Sequence, residues 1–141
     1  MTGLPMSSAT AALQQAIYAA LSGDAALRAA LGADDRIHDH APRGAAFPYV
    51  AFASFSARDW STGDTEGEEH TLVLHVWSRE QGMRETETIA AAIRAVLHDA
   101  ALALDGHRLV NLRHVATEIR REPDGLATRG IIRLRAVTEP A

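Results

Sequence analysis

The sequence has no cysteine and no lysine, and only 5% of its 141 residues are aromatic. The absence of cysteine excludes disulfide bonds and thiolate metal sites, and it is typical of proteins from a reducing compartment. No hydrophobic run approaches the roughly 18 residues that a transmembrane helix needs. Because alanine supplies much of the 47% hydrophobic fraction, the core must depend on a small set of leucine, isoleucine, valine and phenylalanine side chains.

The charge balance is mildly acidic, with 14 arginines against 18 aspartates and glutamates and a net charge of −4. A general nucleic-acid-binding protein normally has a clear basic excess, so the composition argues against that class. The charges are uneven, however: Asp59–Glu69 is acidic, whereas arginine dominates Arg108–Arg135. The length predicts a single domain over residues 1–141.

Hydrophobic periodicity predicts three helices. Leucine and isoleucine recur at four-residue spacing within Ser8–Leu21, which indicates an amphipathic helix. Asp24 is a favourable N-cap for a second helix over Ala25–Leu31, which Gly32 should end. A long alanine-rich segment with one apolar face, Met83–Ala103, predicts the third helix. The first two helices should form a helical hairpin.

Alternation and turn residues predict the strands. Pro48–Phe55 and His70–Ser78 have the composition of strands, and apolar residues on both faces of the second indicate a central position in a sheet. Leu109–Arg120 and Ala127–Val137 predict an antiparallel hairpin around the turn Arg121–Gly125. A shift of the apolar phase in the first arm indicates a bulge. The expected fold is α+β, with an antiparallel sheet, an N-terminal helical hairpin and one long helix packed on one face.

The segment Arg58–Glu69 is polar, glycine-containing and acidic, which predicts a long, mobile loop. Trp60 is its only large apolar residue, and it either covers an edge of the core or anchors a contact with a partner. We expect this loop to become ordered on binding. The candidate interface residues in it are Arg58, Asp59, Trp60, Asp64, Glu66, Glu68 and Glu69.

Four arginines near the C-terminus share one face of the predicted hairpin: Arg113, Arg129, Arg133 and Arg135. One interpretation is a solvated face with ion pairs to Glu118 and Glu122. The other is a contact surface for an acidic partner, such as the Asp59–Glu69 loop of an adjacent copy, because opposite patches on one chain permit head-to-tail contacts that close into a ring.

Catalytic and metal-binding patterns are weak. His38, Asp39 and His40 offer two imidazoles and a carboxylate, which suit zinc or iron, but the third ligand could be any other histidine. There is no G-x-S-x-G nucleophile elbow and no glycine-rich phosphate loop. We therefore expect no catalytic residues and no cofactor, with a metal-dependent enzyme at His38–His40 as the alternative from a different class.

The order of local sequences along the chain resembles the tail-completion (tail-terminator) proteins of long-tailed phages and of phage-derived gene transfer agents. The resemblance covers nearly the whole chain and is carried by these segments: Leu13–Leu21, Asp24–Leu27, Arg36–Asp39, Pro42, Pro48–Val50, Glu69–His70, His75–Ser78, Gly82 and Ile89–Leu97.

This resemblance implies a structural virion protein without enzymatic activity. It implies a homo-hexameric ring that caps the tail tube at its head-proximal end and contacts the tube protein and a head-side connector or stopper protein. DNA would pass through the lumen without specific binding. The protein would assemble in the bacterial cytoplasm and then reside in the neck of the particle. An adaptor, a stopper or another minor tail component is the closest alternative.

Overall fold

Residues 8–141, which the computed structural model describes, form three helices and a six-stranded sheet, and residues 1–7 of the predicted domain lie outside this range. The helices are α1 (Ala9–Ser22), α2 (Ala25–Leu31) and α3 (Arg84–Leu97). The strands are β1 (Ile37–His38), β2 (Tyr49–Asp59), β3 (Glu68–Ser78), β4 (Ala103–Leu104), β5 (His107–Arg121) and β6 (Thr128–Pro140).

The strands are arranged in the order β1-β2-β3-β6-β5-β4. Every neighbouring pair is antiparallel except β1 and β2, which are parallel. The connection from His38 to Tyr49 brings the chain back to the end of the sheet at which β1 begins, so both strands run in the same direction. The predicted α+β class is confirmed, but a purely antiparallel sheet was wrong for this one edge. β3 and β6 occupy the centre of the sheet, as the two-sided apolar pattern of β3 predicted.

The first two helices begin and end where capping chemistry predicts. Ser8 accepts a hydrogen bond from the amide of Ala11, and Asp24 accepts one from the amide of Leu27, so each helix has a side-chain N-cap. Gly32 ends α2 in the left-handed conformation, with φ of 84°. Within residues 8–141, no helix is both long enough and apolar enough to cross a membrane.

The third helix is shorter than predicted. It ends at Leu97 because His98 is extended and Asp99 has a φ of 58°, which turns the chain back toward β5. The amide of Asp99 then donates to the carbonyl of Leu112. The following alanine- and leucine-rich segment includes β4 instead of further helix, so the predicted continuation of the helix to Ala103 was wrong.

The predicted loop Arg58–Glu69 was also too long. Arg58 pairs with Glu69 and Asp59 pairs with Glu68, so both ends of the segment belong to strands β2 and β3. The remaining turn, residues 60–67, is held by hydrogen bonds from the amide of Trp60 to Gly67 and from that of Thr62 to Thr65. The strands continue further because the cross-strand charge pair replaces the apolar contacts that sequence periodicity detects.

The predicted bulge in the first arm of the C-terminal hairpin is present, together with a second one. The register of β5 against β6 shifts at Val110 and again at Val115. These two valines are 47% and 59% exposed, because each bulge takes one residue out of the alternation. The apolar phase of β5 therefore changes twice along the strand.

One face of the sheet packs against the helices and forms the hydrophobic core. Its fully buried side chains come from helices and strands alike: Leu13, Ile17, Leu21, Leu27, Leu72, Leu74, Ile89, Ile93, Leu97, Leu112, Ile132 and Leu134. The opposite face has no helix over it within residues 8–141, and we call it the outer face. Residues in register on neighbouring strands project on the same side, so the strand pairing fixes which residues form the outer face.

Candidate interface on the outer face of the sheet

The outer face is basic although the chain is acidic. By strand register, it contains seven arginines and three glutamates, a net charge of +4 against −4 for the whole chain. These residues are Arg58, Glu69, Arg108, Arg113, Glu118, Arg120, Arg129, Arg133, Arg135 and Glu139. The predicted grouping of four arginines on one face is part of this larger set.

Glu69 organises one end of the outer face. Its carboxylate accepts hydrogen bonds from Arg58 on β2 and from Arg135 on β6, the latter at 2.5 Å between Nε and Oε2. Both guanidinium groups also lie over the ring of Trp60, at 5.2 and 5.3 Å from its centroid. We call Arg58, Trp60, Glu69 and Arg135 the Trp60 cluster. Arg135 therefore pairs with the acidic segment of its own chain.

The electrostatics of the Trp60 cluster favour the charged form of its carboxylate. The hydrogen bond from Arg58, together with that from Arg135, lowers the pKa of Glu69 below its ordinary value. Next to it, hydrogen bonds from the hydroxyl and the amide of Ser61 lower the pKa of Asp59. The Ser61 hydroxyl also accepts from the amide of Gly67, so the turn is closed before any partner binds. Trp60 is 43% exposed above this closed turn.

A second cluster, at the other end of the same face, contains aromatic residues that the sequence did not bring together. Tyr49 of β2 stacks on Trp77 of β3 at 6.5 Å, and Phe47 contacts Tyr49 edge-on at 5.1 Å. Arg79 lies 4.2 Å from the Phe47 ring, and Arg129 lies 5.3 Å from the Trp77 ring. We call these five residues the Trp77 cluster.

Burial and charge perturb the titratable groups in and beside the Trp77 cluster. Arg129 forms an ion pair with Glu122, with Nε and Oε1 2.8 Å apart, so one predicted ion-pair acceptor is confirmed. Burial raises the pKa of Tyr49. Burial, with the positive charge of Arg129, lowers the pKa of His75, whose ring contacts Trp77 edge-on at 6.1 Å. The other predicted acceptor, Glu118, pairs with Arg120.

Arg133 lies between the two clusters on β6, and Arg113 lies beside the Trp60 cluster on β5; these two are the least neutralised arginines of the face. Arg113 stands directly opposite Arg135, so two like charges face each other across β5 and β6. Its nearest carboxylate is Asp99 at 4.0 Å, and its side chain is 59% exposed. Arg133 is exposed and has no carboxylate within ion-pair distance in residues 8–141.

The acidic candidates of the β2–β3 turn lie at the end of the sheet beyond the Trp60 cluster. Asp64 and Glu66 are exposed in the turn, and Glu68 is exposed at the start of β3. In the part of the chain that the structure describes, none of these three carboxylates forms an ion pair. Of the eleven predicted interface residues, the register places six on the outer face, Trp60 lies over that face, three lie at its acidic end and Asp59 lies beside the turn. The six are Arg58, Glu69, Arg113, Arg129, Arg133 and Arg135, and the three are Asp64, Glu66 and Glu68.

Of the residues considered for a metal, His38 lies at the β1 edge of the outer face, in register with Ala51, and Asp39 and His40 follow it outside the strand. His38 contacts the ring of Tyr49 edge-on at 5.6 Å, and Asp39 accepts a hydrogen bond from Gln14 of α1. His40 is exposed in the following loop. No three histidine, aspartate or glutamate side chains of residues 8–141 are grouped so that they could hold a metal ion. The structure therefore does not assemble His38, Asp39 and His40 with each other or with a further histidine of that part of the chain into a metal site.

The sequence alone did not predict the Trp77 cluster, because the cluster depends on the register between β2 and β3. The alternation of β3 places His75 and Trp77 on one face, which sequence alone indicates. The pairing of Trp77 with Tyr49 depends on how β2 is aligned, and the bulge between Phe52 and Ser54 shifts that alignment. Aromatic and arginine side chains are enriched at protein–protein interfaces, so the two clusters are candidate contact residues.

The chain matches a known family over most of its length. The family model described as tail completion protein gp17 matches residues 15–139. The tail completion protein gp17 of Bacillus phage SPP1 is 27% identical over 89 residues, which are 63% of this chain and 66% of that protein. The aligned part is thus just under two thirds of that relative's own length.

Two solved structures have a similar fold. A chain in the virion of a native gene transfer agent particle matches with a TM-score of 0.85 and 31% identity, over 94% of this chain and 99% of that chain. The SPP1 gp17 protein matches with a TM-score of 0.64 and 24% identity, over 91% of this chain and 89% of its own. This chain belongs to the tail completion protein gp17 family and is a structural component of a phage or gene-transfer-agent tail.

Proposed function

We propose that this protein is a tail terminator that forms a homo-hexameric ring at the head-proximal end of the tail tube. The ring stops polymerisation of the tube and joins it to a head-side connector or stopper protein. The observation that supports this most directly is the match to a chain of a gene-transfer-agent virion over 94% of the sequence, at a TM-score of 0.85.

The role is one of surfaces rather than of catalysis. The outer face combines exposed arginines with Trp60 and Trp77, which is the composition of a protein contact. DNA passes through the lumen of the ring without specific binding, and the protein acts after assembly in the bacterial cytoplasm. The mechanism is that one face of the ring binds the last ring of the tube, while the other face offers no surface for a further tube ring.

Electron microscopy of particles from a producing strain that lacks this gene tests the proposal. We expect tails of uneven, excessive length that are separate from filled heads, because nothing stops the tube or joins it. Restoring the gene on a plasmid is the control and should return both tail length and attachment. Normal, attached tails in the deletion strain would reject the terminator role.

Tail length separates the terminator from its neighbours in the neck. An adaptor or stopper acts on the head side, so its loss should leave detached tails of normal length. Loss of a minor tail component should leave tails of normal length that are still attached to heads. The length distribution and the fraction of attached heads, measured on the same micrographs, therefore distinguish these outcomes.

A further inference from the structure

The charge distribution indicates how copies of this chain contact one another, an inference that rests on the ring proposed above. We infer that the acidic turn of one copy, at Asp64 and Glu66, binds the outer face of the next copy at Arg113 and Arg133. The contact is head to tail, so the same pair of surfaces repeats around a closed assembly.

Charge complementarity within one sequence carries this inference. The outer face has a net charge of +4, so the remainder of the chain carries −8. The other arginines of the face are largely committed: Arg58 and Arg135 to Glu69, Arg129 to Glu122, Arg120 to Glu118, and Arg108 to Glu139. Arg133, without an ion pair in residues 8–141, and Arg113, 4.0 Å from the exposed Asp99, remain as the least neutralised positive charges of the face. Asp64 and Glu66 are negative charges without an ion pair in the same residues.

The strand register separates Arg133 from the acidic turn of its own copy. Arg133 is in register with Val73, whereas β3 begins at Glu68, five residues away, with the turn beyond it. At about 3.3 Å per residue, the separation along the sheet is roughly 16 Å before the turn is added, well beyond an ion pair. The turn is also closed by hydrogen bonds at Trp60, Thr62 and Gly67, so it cannot fold back over the face without opening. A second copy can supply the opposite charge both to the acidic turn and to the arginines of the outer face.

The composition of the face favours a protein partner over DNA. Three glutamates are interleaved with the arginines and would repel phosphate, and most guanidinium groups are already bound to carboxylates or stacked on aromatic rings. Phosphate binding needs free guanidinium forks. An acidic turn with two carboxylates, in contrast, needs only two exposed arginines, and Arg113 and Arg133 meet that requirement.

Cross-linking of single-cysteine variants tests the contact directly, because the natural chain has no cysteine. Asp64→Cys protein and Arg133→Cys protein are purified, mixed and treated with a short bis-maleimide. We expect heterodimers to form about tenfold faster than with the control pair of Asp64→Cys and Arg43→Cys, because the contact raises the local concentration of the thiols. Equal rates for the two pairs would overturn the inference.

Reciprocal charge reversal provides a second test in the deletion strain. Arg113→Glu/Arg133→Glu and Asp64→Arg/Glu66→Arg should each fail to restore normal tails, whereas the two variants expressed together should restore them, since each then presents the charge that the other lacks. Arg43→Glu/Arg84→Glu, at exposed positions away from the face, is the matched control and should complement alone. Circular dichroism of each purified variant confirms folding.

The outcomes separate this contact from the proposed function. Single variants that complement as well as the natural chain, or a mixture that never restores tails, would overturn the contact between copies. Loss of duplex DNA binding by Arg113→Glu/Arg133→Glu, with no thiol cross-link, would assign the face to nucleic acid instead and overturn it too. A deletion strain with normal tails rejects the terminator role, while the cross-linking result on purified protein stands by itself.

Discussion

Thr86 in the first turn of α3 lies directly over Gly130 of β6. A Cβ atom at Gly130 would be 2.9 Å from Cγ2 of Thr86 and 3.3 Å from Cβ of Val76. Thr86 is fully buried, so it has no room to move away from the sheet. The glycine therefore sets how closely the helix approaches the centre of the sheet.

Gly130→Ala should lower the free energy of unfolding by about 1–3 kcal/mol, because the added methyl group overpacks this contact. Gly63→Ala is the matched control, since a Cβ atom at Gly63 would meet open space and the φ of this glycine is not in the left-handed range. Urea unfolding followed by circular dichroism measures both. Equal midpoints for the two variants would show that α3 yields to the methyl group.

Asp24→Ala should cost about 0.5–2 kcal/mol, because it removes the side-chain acceptor for the Leu27 amide at the start of α2. Asp34→Ala removes an exposed carboxylate from the loop after α2 and should change stability by less than about 0.5 kcal/mol. Thermal unfolding of the two variants and the natural chain measures both losses of stability. A result in which Asp34→Ala loses as much as Asp24→Ala would argue against a specific capping effect.

Glu69→Gln should loosen the β2–β3 turn without unfolding the sheet. The neutral amide cannot hold both Arg58 and Arg135 as an ionised carboxylate does, so Trp60 loses its two cationic neighbours. Hydrogen exchange of the Trp60 and Thr62 amides, which close the turn, should become roughly two- to fivefold faster. Glu66→Gln, in the same turn but without an ion pair in residues 8–141, is the control; identical exchange in both variants would contradict the role of Glu69.

Stability should decrease as the pH falls below about 6.5. Burial lowers the pKa of His70, His75 and His114 from the ordinary value of 6.5, so the unfolded chain binds protons at a higher pH than the folded chain. Well above the ordinary pKa of 6.5, these histidines are neutral in both states and contribute no pH dependence. For His70, which is fully buried against the Thr138 hydroxyl, the loss is at most about 1.4 kcal/mol per pH unit.

Guanidinium unfolding at several pH values between 5 and 8 measures this dependence, with the pH range set by the ordinary histidine pKa of about 6.5. His70→Gln should flatten the curve below that pH, although it lowers stability overall by removing a packed ring. His40→Gln, at an exposed loop position, controls for the loss of a histidine outside the core. A His70→Gln curve as steep as that of the natural chain would exclude His70 as a source of the dependence.

Local signals predicted the elements whose ends depend on neighbouring residues in sequence. Asp24 and Gly32 define α2 because a cap and a left-handed residue act within one turn of helix. The hairpin turn at Pro123 and Gly125 follows from the same kind of short-range preference, and Gly125 has a φ of 71°. The family resemblance also depends on such local segments in order, which explains why it could be stated before any contact was known.

The sequence-based predictions were wrong where contacts between residues distant in sequence determine the structure. Helix propensity continues past Leu97, but the hydrogen bond from Asp99 to Leu112 and the pairing of β4 with β5 override it. The Arg58–Glu69 pair extends two strands into a segment whose polar composition predicts a loop. The Trp77 cluster depends on a strand register that no local pattern specifies, so composition alone could not assemble it.

The central position of β6 has a consequence for how the chain reaches this fold. β6 is the last strand in sequence, yet it lies between β3 and β5 and pairs with both along most of its length. The two central pairings therefore wait for residues 128–140 to leave the ribosome, and until then β3 and β5 each expose an edge that another chain could pair with. Folding is dominated by contacts between distant segments and should be slow for a domain of this size. The sheet thus becomes continuous only after β6 is inserted between β3 and β5, and the outer face described above exists only from that point.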